Sequence, residues 1–261
     1  MISQNCTPPN KLRDVEENVA VAIAKVAYFI SPKVVKRIAE LNRVWYNEFE
    51  KNFEKRVRSK HYFYEGSACV FPGVRRQANK DERKLALKKY HRSVAAIFDD
   101  NVFPRHLWCF LCAGKPYSGP LWKTSGLGEF ELAHVLPHKI YEHSGVQDWF
   151  LKMPNSDPFH GLFTCAANVI LLPKGMARPT DGTAGIRAAV LNRYFDLYGS
   201  IYSGGFGGFS LPERITWFDK LRWNDPIEPK DWEMRIEKLD AYRRNKISGL
   251  LRATLEDIAE E

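Results

Sequence analysis

The reading turns on three runs: Trp108-Cys109-Phe110-Leu111-Cys112, then Phe130-Glu131-Leu132-Ala133-His134-Val135-Leu136-Pro137-His138, then Gly161-Leu162-Phe163-Thr164-Cys165-Ala166-Ala167-Asn168-Val169-Ile170-Leu171-Leu172-Pro173. This region holds three of the chain's five cysteines and four of its seven histidines. The two-residue gap between Cys109 and Cys112 lets both sulfurs reach one ion from a knuckle turn, with Gly114 and Pro116 supporting the turn. A redox pair would sit at the start of a helix, and Ala113-Gly114-Lys115-Pro116 does not start one easily. Zinc is therefore the better reading. Cys165 is the third expected ligand. His160, just before the return strand, is favoured as the fourth over His143 and His138.

His134 ends a short extended run. A lone histidine on an apolar strand is usually a core residue, but several histidines beside a cysteine pair shift that balance. A neutral imidazole takes a proton from water near neutral pH. Phosphodiester hydrolysis needs that step, plus a cation at the leaving oxygen.

These motifs together resemble the HNH nucleases of the ββα-metal (His-Me finger) superfamily. Ala133-His134-Val135-Leu136-Pro137 is similar to the Ala-His-Ile-x-Pro segment of some HNH subfamilies. Gly161-Leu162-Phe163-Thr164-Cys165 resembles their return strand, and Asn168-Val169-Ile170-Leu171-Leu172-Pro173 the asparagine-containing strand of related nucleases. The resemblance covers about 70 residues. It implies His134 as general base, Asn168 or Asn192 in the remaining catalytic place, a structural Zn²⁺, and Mg²⁺ or another divalent cation for catalysis. Two departures stand out. Ala133 occupies a position where many relatives carry a metal ligand, with Glu131 as a substitute on the same strand face. No histidine follows His160.

Over the whole chain the composition is that of a soluble protein, with 44% hydrophobic and 27% charged residues and a net charge of +8. Between Lys51 and Arg92 there are 13 Lys or Arg against 4 acids, so this segment carries +9 and the rest of the chain −1. A local excess of that size is an electrostatic footprint for a polyanion. Arg75, Arg76, Lys88 and Lys89 are its expected phosphate contacts. Arg214 and Arg222, interleaved with Trp217, Phe218 and Trp223, are a second set.

Apolar spacing predicts helices over 11–29 (Val15, Val19, Ala22, Ile23, Val26, Ala27 inward) and from Ser31-Pro32 to about Arg56 (Val35, Ile38, Leu41, Trp45, Phe49, Phe53 inward). It predicts a third from Asn79 or Asp81 to Phe98, stopped by Asp99-Asp100-Asn101 and Pro104. Two more are expected over about 183–198 and 230–259. Strands are expected near 128–136 and 161–172.

The expected fold class is α+β, mainly helical, with a small zinc-supported ββα-metal core and helical flanks. Its divisions are 1–100, a basic helical nucleic-acid-binding region; 101–200, the nuclease core; and 201–261, a Gly-rich loop and C-terminal helical region. An odd cysteine count argues for a reducing compartment. The apolar run Val19–Ile30 is broken by Lys25 and is shorter than the ~20 residues a membrane span needs. The expected location is the cytoplasm, with no membrane partner.

The expected activity is metal-dependent endonucleolytic hydrolysis of double-stranded DNA. By analogy, an HNH core with large private flanks suits a restriction or phage-defence nuclease. Cutting both strands with one active site per chain favours a homodimer. The alternative is a non-catalytic, zinc-stabilised nucleic-acid-binding protein.

Overall fold

The computed structural model describes residues 12–52, 103–135, 166–202 and 213–259. The protein is α+β and mainly helical. In chain order the helices are α1 (Leu12–Val26), α2 (Pro32–Asn52), α3 (Phe103–Ala113), α4 (Gly119–Thr124), α5 (Ala177–Gly182), α6 (Ala184–Tyr202) and α7 (Trp232–Ala259). Strands β1 (Phe130–His134) and β2 (Val169–Pro173) lie between α4 and α5 and pair antiparallel.

Helix α2 begins as its sequence demands. Pro32 has no N–H to lose at the first position, and the Ser31 hydroxyl accepts the Lys33 N–H at 3.2 Å. The same hydroxyl donates to Glu228, which also takes an ion pair from Lys33 at 2.8 Å. Helix α1 is rotated from the expected face. Ala20, Ile23, Ala24 and Ala27 are buried, while Val15 is 53% exposed. The buried side is the alanine-rich one because α1 lies close against α6. At Gly185 an added Cβ would run into the Glu16 carboxylate. Among the residues of α2 whose side chains are described, Val34, Val35, Ile38 and Ala39 are buried. The side chains of Trp45 and Phe49, and all of Phe53, lie outside the described residues.

Helix α3 replaces the expected chain break and knuckle. Pro104 lies in its first turn, where a missing N–H costs nothing. Leu107 to Leu111 are all buried, so this short apolar run passes through the core, where its sequence reads equally well as a buried strand or helix. It ends at Gly114, whose φ of +65° is the left-handed turn that glycine adopts freely, with its N–H on the Phe110 carbonyl at 2.8 Å.

β2 is flanked on both sides. One edge meets β1, with Phe130 opposite Pro173 and His134 opposite Val169. The other meets Tyr28, whose N–H and C=O bond Leu171 at 3.0 and 3.1 Å. Two residues on, Ile30 bridges Ile227 in parallel. Trp108 of α3 donates to the Val169 carbonyl at 3.3 Å, and Tyr198 of α6 to the Ile30 carbonyl at 2.6 Å. One core cluster therefore joins residues from Ala20 to Leu239 across all three expected divisions. No helix among the described residues is long and apolar enough to cross a membrane.

Candidate functional site

His134 is the last residue of β1, half-buried, with its Nε2 shielded from solvent. Its neighbour Val135 donates its N–H to the Asn168 carbonyl at 2.9 Å. Asn168 is fully buried in the 3₁₀ turn Ala166–Asn168 that leads into β2. His134 and Asn168 thus lie at the same end of the strand pair, linked through the Val135 backbone, and the chain runs on from β2 into α5 and α6.

Asn192 is occupied elsewhere. From α6 its Nδ2 donates to the Glu213 carbonyl at 3.4 Å and its Oδ1 accepts the Ile215 N–H at 3.1 Å. Both ends of the amide pin the 213–215 segment to the helix. Ala133 is buried. Strand alternation puts Glu131 on the face opposite His134. There its Oε1 accepts the Ala177 N–H at 2.9 Å and holds the start of α5.

The same face carries a polar group that spacing did not single out. Asp181, near the end of α5, has its carboxyl pushed up by burial, with the Arg187 guanidinium opposing and the Glu131 charge adding. Arg187 is buried on α6. Asp181-Gly182-Thr183 reads in sequence only as a helix start, so its position beside Glu131 is visible only in the fold.

Cys109 and Cys112 lie one turn apart near the end of α3, and neither is in a disulfide. Cys109 is fully buried, and its thiol is pushed up to about 12 by burial first and by Cys112 second. The Arg105 charge and the backbone N–H of Ser118 act in the other direction. Exposed Cys112 is also pushed up, with Arg235 opposing. Arg235 further donates to the Leu111 carbonyl at 2.5 Å and closes the end of α3. The other expected ligands, Cys165, His160, His143 and His138, lie outside the described residues. Among those described, no group of three or more His, Cys, Asp or Glu converges on a point.

Of the expected phosphate contacts, Arg75, Arg76, Lys88 and Lys89 also lie outside the described residues. Arg214 is committed to Asp196 at 3.1 Å and Asp219 at 3.0 Å, and lies over the Phe218 ring. Arg222 is exposed and donates to the Asp219 carbonyl. Trp217 and Phe218 are buried, so these interleaved aromatics are core rather than surface.

Comparison of the chain with protein-family models, with curated proteins and with solved structures finds no match.

Proposed function

We propose that the chain is a metal-dependent DNA endonuclease of HNH type, with His134 as general base and Asn168 beside it. What supports this most is the antiparallel pairing that ends one strand at His134 and starts the other from Asn168. In this reading His134 takes a proton from water, and the resulting hydroxide attacks phosphorus while the bond to the 3′ oxygen breaks. Buried Asn168 fixes the end of the strand pair and so the position of the imidazole. Cys109, Cys112, Cys165 and His160 hold a zinc that supports the fold. The reaction class also calls for a Mg²⁺-like cation at the leaving oxygen. The described residues do not assemble a ligand set for that cation.

The experiment is cleavage of plasmid DNA with added Mg²⁺ or Mn²⁺. His134→Ala is expected to retain folding and DNA binding and to lose roughly 10²–10⁴-fold in rate, the usual worth of a general base. Cleavage by the variant at the parental rate overturns the role of His134. A second reading, a zinc-stabilised binding protein without catalysis, is favoured by buried Ala133 and by the engagement of Glu131 with α5. It takes over if the parent cleaves no DNA with any divalent cation.

A further inference from the structure

A groove of about 770 Å³ runs beside β1, walled by Arg105, Tyr117, Trp122, Lys123, Lys174 and the stretch from Gly128 to Leu132. Its chemistry is unlike a core defect. The Tyr117 and Trp122 rings meet edge to face with centroids 5.9 Å apart. The Arg105 guanidinium lies over both, at 5.4 and 5.8 Å.

The platform is held from behind. Arg105 donates to the Tyr117 hydroxyl at 3.2 Å, and the Tyr117 N–H is accepted by Nδ1 of buried His106 at 2.9 Å. The ring proton of His106 therefore belongs on Nε2, which faces the Tyr242 hydroxyl at 3.5 Å. Lys123 and Lys174 stand at the rim, both exposed. The acids in the groove are Glu129, which faces Lys174 at a loose 4.0 Å, and Glu131, already occupied by the Ala177 N–H.

The strand edge is also turned toward this space. The Val135–Asn168 and Glu129–Lys174 backbone bonds fix which residues of β1 face β2. By antiparallel alternation the backbone groups of Phe130 and Leu132 point the other way. Among the described residues no strand pairs with that edge. Leu132 lies two residues, or about 7 Å of strand, from His134.

We propose that this groove binds a single-stranded stretch of DNA, one base stacking on the Trp122 ring, which Tyr117 and Arg105 brace, while Lys123 and Lys174 hold the flanking phosphates. Indole, phenol and guanidinium planes all stack bases, and stacking tolerates any sequence. This rests on the nucleic-acid reading above and adds to it that the strand entering the His134 end is unpaired next to the site.

The test measures binding of a short oligothymidylate and of an abasic strand of equal length, without added divalent cation. The parent is expected to prefer the base-bearing strand by roughly 5- to 150-fold, the worth of one stacked base. Trp122→Phe keeps a π face and should keep most of that preference. Trp122→Leu keeps apolar volume without one and should bring the ratio near one. Lys123→Ala with Lys174→Ala should weaken both strands alike and flatten the salt dependence by about 1.4 in log–log slope.

A parent that binds both strands equally, or a folded Trp122→Leu variant with the parental ratio, overturns the proposal. The parental ratio is read without any variant, so a misfolded variant leaves the test intact. Plasmid cleavage is scored separately. Cleavage without base preference removes only the groove, and base preference without cleavage removes only the nuclease reading.

Discussion

Asp181 shows how a single carboxyl ties the face behind His134 to pH. Folding raises its affinity for a proton, chiefly through burial. Its contribution is therefore complete below the ordinary value of 3.8 and is lost as pH rises through the higher folded value. Because the side chain is exposed, solvent screens the ionised carboxylate and keeps its cost to the fold at neutral pH small. Asp181→Asn keeps the shape without the charge. Its melting temperature should exceed the parent's at neutral pH and match it below the ordinary carboxyl range. A variant that melts lower at neutral pH would mean that Arg187 outweighs burial. At this scale the sequence identified His134 and Asn168 as candidates but left Asn192 equal to Asn168. The difference lies in the backbone of Glu213 and Ile215, more than 20 residues from Asn192, and no local pattern announces such a partner.

Helix α3 is the element whose shape the sequence did not show. The Cys109–Cys112 spacing places two sulfurs on one helix face as readily as it places them in a knuckle. Pro104 allows both readings, because it is tolerated in a first turn and also ends helices. What decides is burial of every residue from Leu107 to Leu111, a property of the surrounding fold. By contrast, β1, α2, α6 and α7 carry their own signals; β2 is shorter than the expected 161–172, because Ala166–Asn168 form a 3₁₀ turn before it, and 161–165 lie outside the described residues. Zinc at the end of α3 would bind the turn that carries Tyr117 to the helix. Purified protein is expected to hold zinc by elemental analysis. Cys109→Ser is expected to release it and lower the melting temperature by about 10 °C or more, since metal-binding energy becomes folding energy. Metal-free parent protein with an unchanged melting temperature in Cys109→Ser would remove zinc from the account.

For the whole molecule, the segment Tyr28–Ile30 is the seam, lying between β2 and Ile227. Tyr28→Pro deletes the N–H that the Leu171 carbonyl accepts and should cost roughly 1–3 kcal/mol in urea denaturation. A neutral result would show that the strand pair stands without that seam. The basic run Lys51–Arg92, the strongest electrostatic signal in the sequence, lies outside the described residues from Phe53 on, so its expected phosphate contacts are carried by charge alone. The seam also sets a clock. Tyr28 must wait for Leu171 and Ile30 for Ile227, the latter 197 positions later. At ~5–20 residues per second, the interval between Ile30 and Ile227 during synthesis is about 10–40 s. Contacts this distant in sequence close slowly, after local ones. On the ribosome, α1 and α2 leave the tunnel as an unmatched pair, and the edge that braces β2 from behind is finished only when the chain has been made through Ile227. A nascent chain stalled before that point is expected to be sensitive to protease in the strand pair, and one stalled well beyond it resistant.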